Sequence, residues 1–176
     1  SADTMLHVND YRSAERTFDI LEQVCGRAGR GRKKGRAVIQ TYSPENEAIT
    51  LVQAHDYKSF YLGEINERKM MWYPPFSKII AVLFSGEQEE SVSGAAKFFL
   101  KSMGNIAEIP QNIQILGPIP SSLSKIKNKY RWQLLIKCVE DESLNGILRS
   151  AEAACRKDAR FEGVAVVIDK SPNMLY

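Results

Sequence analysis

The stretch KIIAVLFSGEQEESVSGAAKFFLKSM, Lys78–Met103, contains a change of hydrophobic period that decides the fold. Lys78–Ser85 is a nearly unbroken apolar run of strand length, the pattern of a strand buried on both faces. From Glu87 onward, Val92, Ala95, Ala96, Phe99, Leu100 and Met103 recur at i, i+3, i+4, i+7, i+8 and i+11. That spacing makes one broad helical stripe, with one side packed and the other wet. The succession returns in RWQLLIKCVEDESLNGILRSAEAACR, Arg131–Arg156. Trp132, Leu134, Ile136 and Cys138 alternate along a strand, and Leu144, Ile147, Leu148, Ala151 and Cys155 mark a helix over Ser143–Arg156. Asn112–Leu116 reads as a strand between these units, closed by Gly117-Pro118-Ile119-Pro120 and followed by a polar, basic loop. Val164–Ile168 reads as the last strand. The order β-α-β-β-α-β predicts an α+β module of the split, ferredoxin-like kind. Its four-stranded antiparallel sheet would carry two helices on one face, joined by right-handed crossovers.

Upstream, Tyr73-Pro74-Pro75-Phe76 forces extended backbone and marks a boundary, with Trp72, Tyr73 and Phe76 as packed anchors. A motif for a proline-binding partner is the competing reading of this segment. Before it, Glu45–Ala54, starting at Ser43-Pro44, and Tyr57–Met71 read as helices, the second carrying Phe60, Tyr61, Ile65 and Met70. Ser13 caps an expected helix running to about Cys25, with Ala14, Phe18, Leu21 and Cys25 on one stripe and Gly26 breaking it. Ala28–Gly35 reads as a loop and Ala37–Tyr42 as a short strand. One strand, one helix and a loop hold no core of their own, so this region reads as the end of something larger. The expected divisions are 1–43, 44–74 (a helical connector) and 75–176. Ser1-Ala2 has the look of a cloning remnant.

Composition excludes several classes. At 44% hydrophobic, 26% charged and 11 Gly among 176 residues, the chain is neither collagenous nor disordered. Its longest apolar run, Ile79–Phe84, is far shorter than the ~20 residues of a membrane helix, so a soluble, cytoplasmic protein without membrane partners is expected. Cys25, Cys138 and Cys155 are odd in number and dispersed, which predicts buried free thiols and no metal site. His55-Asp56 reads as a helix junction with a surface imidazole, since no nucleophile is placed beside it.

Net charge is only +3, but it is unevenly spread. RAGRGRKKGR (27–36) holds six Arg or Lys and no acid. Gln111–Val139 also lacks acids while carrying Lys125, Lys127, Lys129, Arg131 and Lys137. Such patches fit polyanions or acidic peptide tails, and a merely solvated face is the competing reading. In Gln23–Arg30 (QVCGRAGR), two Gly-Arg pairs put two guanidiniums on a tight turn at a helix end. Such guanidiniums can steady charge developing on a transferring γ-phosphoryl group. Along Lys125–Lys137, alternation places Lys129, Arg131 and Gln133 on one face and Tyr130, Trp132 and Leu134 on the other, the Trp132 face being core. Lys125, Lys127 and Arg131 are candidates for DNA-backbone contact.

Ala2-Asp3, Asp10–Arg16 (DYRSAER) and Gln23–Arg30 resemble motifs V and VI of superfamily 2 helicases. Gln40-Thr41-Tyr42, Ala54–Tyr57 (AHDY), Tyr73–Ser77 (YPPFS), Leu116-Gly117-Pro118 and Tyr130–Gln133 (YRWQ) resemble, in order, the C-terminal part of the PriA family of bacterial replication-restart DNA helicases. The resemblance implies the end of a RecA-like α/β helicase lobe in front of the ferredoxin-like module. It further implies an ATP-dependent 3′→5′ helicase that reloads the primosome at stalled forks. Gln23, Arg27 and Arg30 would face nucleotide held between two lobes, with Arg30 as the finger, and Asp3 and Arg16 would couple nucleotide state to DNA grip. Lys129 and Gln133 match positions that receive the acidic, Phe-ended C-terminal tail of the single-stranded-DNA-binding protein. Implied partners are branched and single-stranded DNA, that tail and primosome proteins.

Two positions depart from the family pattern: Cys25 stands where Ala is usual, and Lys129 where Arg often precedes Tyr130. A phosphate-binding loop is missing, as Gly31–Arg36 does not satisfy it, and so are the family's Mg²⁺-binding acidic motif and zinc-binding cysteines. ATP, Mg²⁺ and zinc are therefore expected in a longer parent protein, with no cofactor in these residues and no activity for them alone. The competing class is a non-catalytic nucleic-acid-binding or ribosome-associated module on the same sheet.

Overall fold

In the computed structural model, which describes residues 2–8, 10–28, 36–104, 112–139, 142–170 and 172, the chain separates into two units, Ser1–Met71 and Trp72–Tyr176. The first contains α1 (Asp3–Leu6), α2 (Ser13–Ala28), α3 (Glu47–Ala54) and α4 (Tyr57–Met70). Phe18, Ala48, Val52 and Phe60 form its buried centre, with Ala14, Leu21 and Cys25 packed against it as the stripe requires. Phe18 and Phe60 stack with centroids 4.0 Å apart, joining α2 to α4. Such a pair contributes about 1 kcal/mol beyond its area burial.

Four expectations fail in this unit. The helix does not stop at Gly26: α2 runs on to Ala28, and Ser13 is its first residue rather than its cap. A lone glycine weakens a helix by about 1 kcal/mol but does not remove its hydrogen bonds. Ala37–Tyr42 is not a strand, because no described strand lies beside it; instead Ala2 N–H donates to the Gln40 carbonyl at 3.1 Å. Helix α3 begins at Glu47 and not at Ser43-Pro44, because the Asn46 side chain accepts from Ala48 N–H and makes the better cap. Of the apolar residues read as carried by α4, Met70 is 80% and Tyr61 49% exposed. The His55-Asp56 junction is as expected. His55 ends α3 in the left-handed region, at φ 53°, and the Asp56 carboxylate caps α4 by accepting from Ser59 N–H at 3.0 Å.

The second unit is a four-stranded antiparallel sheet in the order β2-β3-β1-β4, made of β1 (Lys78–Gly86), β2 (Ile113–Ile126), β3 (Lys129–Cys138) and β4 (Ala165–Asp169). Helices α5 (Glu89–Ser102) and α6 (Glu142–Lys157) close one face. The core between them holds Ile80, Val82 and Phe84 of β1, Leu134, Ile136 and Cys138 of β3, Val92, Ala95, Ala96 and Phe99 of α5, and Leu144, Leu148 and Ala151 of α6. This is the expected ferredoxin-like arrangement, and β1 is buried on both faces as its apolar run requires.

The central hairpin departs from expectation. Gly117-Pro118-Ile119-Pro120 does not close the second strand, and the basic stretch after it is no loop. Strand β2 continues to Ile126, slipping register between Leu116 and Ile119 and again between Pro120 and Lys125. Because β2 is an edge strand, a residue without an N–H can face outward there. Gly117 sits at φ +100°, and a Cβ on it would lie 2.9 Å from the Gln133 carbonyl, so the slip requires glycine. In the segment before β1, Tyr73 packs its ring 3.6 Å from Lys137 Nζ, while Phe76, expected as an anchor, is 38% exposed.

Candidate functional site

The first candidate site lies at the end of α2. Gln23 and Arg27 are four residues apart, hence on one side of the helix, and both are exposed. Arg27 occupies the last turn, where a cation complements the helix dipole. Gly26 lies between them, and a Cβ there would meet nothing within 4 Å. Arg30 lies outside the described residues.

Asp3 and Arg16 are held elsewhere in the unit and not together. Asp3 is 7% exposed and accepts from Thr41 Oγ1 at 2.7 Å and from Tyr42 N–H at 3.1 Å, tying α1 to the segment before α3. Arg16 reaches Asp10 at 3.5 Å. The sequence reading missed the centre of this group. Asp10 is 6% exposed and accepts from the Arg12 backbone N–H at 2.9 Å and from the Arg12 side chain through Nε and Nη2, both at 3.1 Å. Burial pushes its carboxyl upward, but the Arg12 bonds and the Arg12 and Arg16 charges outweigh it and leave the carboxyl below its ordinary value. Arg12 and Arg68 also lie 5.0 and 5.2 Å from the Tyr11 ring centroid. The signal was in DYRSAER itself, where an acid precedes two arginines at spacings that can converge on it.

The second candidate site is the β2–β3 hairpin. Lys127 and Asn128 form its two-residue turn at φ 48° and 63°, the left-handed geometry of a tight hairpin that matches strand twist. Residues 122–129 are all exposed. Lys125 pairs across the ladder with Tyr130, donating from Nζ to the phenol oxygen at 3.2 Å and lying 4.3 Å from the ring centroid. Ile126 pairs with Lys129. Arg131 follows Lys129 on the same face, and Gln133 continues that face but is only 4% exposed, with Oε1 lacking a hydrogen-bond partner. Ser121 Oγ, also buried, lacks one too. Trp132 packs its half-buried ring against the core on the opposite face. Lys137 is 4% exposed beneath Tyr73, and burial pulls its ammonium below the ordinary lysine value.

Cys138 and Cys155 are buried and Cys25 half-buried, all three as free thiols. Burial, with a smaller effect from Asp158, pushes the Cys155 thiol up to about 11, and it donates to the Ala95 carbonyl at 3.7 Å. Among the described residues no group of three or more His, Cys, Asp or Glu could hold a metal ion, and no helix is long and apolar enough to cross a membrane.

A helical unit followed by a ferredoxin-like sheet with an exposed, lysine-bearing hairpin defines an α+β protein. Comparison with known proteins places it more narrowly. Residues 69–173 match the primosomal protein N C-terminal domain. The chain is 38% identical over 178 aligned residues to the replication restart protein PriA of Bacillus subtilis, covering 99% of this chain and 22% of that protein. It is 42% identical over 139 residues to PriA of Synechocystis (78% and 16%), and 33% identical over 171 residues to PriA of Treponema pallidum (97% and 25%). The chain belongs to the PriA family of replication restart proteins, and it spans about a fifth of the length of these relatives. Among solved structures, a hydantoinase/carbamoylase family amidase from Burkholderia ambifaria overlies 55% of the chain and 27% of its own, at 14% identity and a TM-score of 0.37, which carries no argument.

Proposed function

We propose that the chain is the C-terminal part of an ATP-dependent 3′→5′ DNA helicase that restarts stalled replication forks in the cytoplasm. Arg27 and Arg30, with Gln23, reach toward a triphosphate held with Mg²⁺ by a lobe outside these residues. Asp3 and Arg16 help link that nucleotide to grip on DNA. Zinc belongs to other parts of the parent protein. The hairpin cations meet branched or single-stranded DNA, and Lys129, with Gln133 behind it, meets the acidic tail of the single-stranded-DNA-binding protein; primosome proteins complete the partners.

The observation that carries this reading is the open side of α2. Gly26 weakens the helix by about 1 kcal/mol relative to alanine, yet nothing described in this chain needs the space beside it. An exposed glycine between an exposed glutamine and an arginine with no ion-pair partner among the described residues suits a surface that something outside must approach closely.

The test is ATP hydrolysis by the full-length protein. Arg30→Ala should lower kcat by roughly 10³-fold or more with nucleotide affinity little changed, as for other arginines acting on a γ-phosphoryl group. The 176-residue chain alone should hydrolyse no ATP. Unchanged kcat in Arg30→Ala, or Mg²⁺-dependent turnover by the isolated chain, would overturn the reading.

A further inference from the structure

We infer that the β2–β3 hairpin is a two-stranded ribbon that enters the major groove of duplex DNA tip first. This rests on the reading of DNA as the partner and adds the form of DNA and the way it is held. Three observations converge on it.

The first is that the tip of the ribbon is open to solvent, beyond the point where Tyr130 packs against the core. Residues 122–129 are all exposed, and beyond the register shift between Pro120 and Lys125 the pairs Lys125–Tyr130 and Ile126–Lys129 carry the ladder to the turn. It is paired backbone closed by a tight turn.

The second is where the cations sit. Lys125, opposite Tyr130, lies on one face; Lys129 and Arg131 lie on the other; Lys127 is in the turn. A flat polyanion or a bound peptide tail needs cations on one face only. Cations on both faces and at the tip suit a slot whose two walls are phosphate backbones. The segment Gln111–Val139 itself contains no Asp or Glu.

The third is width. Paired strands lie about 4.8 Å apart, and with side chains the ribbon fits the roughly 12 Å major groove of B-DNA but not the minor groove of about 6 Å. Phosphate contacts of this kind hold DNA without reading its sequence. Anchorage comes from the other end, where Gly117, Gln133 and Leu134 approach closely and fix the ribbon to the sheet.

The experiment is a salt titration of the chain's affinity for a short mixed-sequence duplex and for a single strand of equal length, by fluorescence anisotropy. The duplex should bind more tightly. The slope of log affinity against log salt should fall by about one for Lys125→Gln, by about one for Lys129→Gln and by about two for the double variant, with Lys125→Arg restoring the slope. Methyl green in the major groove should block binding, and netropsin in the minor groove should not. Unchanged circular dichroism spectra will show that the exposed substitutions leave the fold intact. Equal affinity for the single strand, blocking by netropsin alone, or loss confined to one face would overturn the inference. An inert Arg30→Ala in the full-length protein alongside these slopes would instead sink the helicase reading and leave the groove contact standing.

Discussion

Asp10 shows how a single side chain gathers a neighbourhood. Its carboxylate sits almost wholly out of water and survives there because Arg12 binds it through backbone and side chain and Arg16 adds a second cation. An acid whose folded value is depressed contributes stability that is fully present above the ordinary Asp value of 3.8 and is lost as pH falls through the folded value. Asp10→Asn should therefore unfold more easily in urea at about pH 7, by about 1.5–3 kcal/mol, the range for hydrogen bonds to a charged group. As pH falls below the ordinary Asp value of 3.8 and the native carboxyl takes up its proton, the gap between the two proteins should shrink. A gap independent of pH would show that the charge contributes nothing.

At the scale of elements, Gly117 controls the hairpin. Gly117→Ala brings a Cβ to 2.9 Å from the Gln133 carbonyl and imposes a left-handed φ on an L-residue, which should cost about 1–3 kcal/mol in thermal melts. Gly146, inside α6 with open space around it, is the contrast: Gly146→Ala should stabilise by up to about 1 kcal/mol. Destabilisation of similar size at both sites would refute the geometric argument.

Elements with a strong period were legible in the sequence. The stripe from Val92 to Met103 and the run Lys78–Ser85 needed only local pattern, because each buries a continuous surface. The second half of β2 was not, since Gly117, Pro118 and Pro120 are turn formers in isolation and only the sheet's outer position makes them tolerable in a strand. Ala37–Tyr42 failed for the opposite reason, as its alternation was correct but a strand needs a neighbour. For the candidate sites, residue type and spacing put Gln23 and Arg27 on one helix side. They could not reveal that Gln133 is buried, because an outward-alternating position is exposed only when nothing covers that face.

On the scale of the whole molecule, two hydrophobic centres with separate membership predict separate responses to damage. Phe18 is 1% exposed in the first and Phe99 0% in the second. Truncating either to Ala should cost about 3–5 kcal/mol locally. Hydrogen exchange should then quicken in α2, α3 and α4 for Phe18→Ala with β1 and β3 unchanged, and in the sheet and α5 for Phe99→Ala with α2 unchanged. Acceleration of both regions by either substitution would mean one cooperative unit.

The outer position of β2 has a last consequence. A strand this long at the rim of a sheet would ordinarily template a foreign strand and seed fibrils. Pro118 and Pro120 have no amide hydrogen to offer a newcomer, and the slips beside them break the spacing that zippering copies would need. The rim of this sheet is thus marked by features that work against strand-to-strand addition along β2.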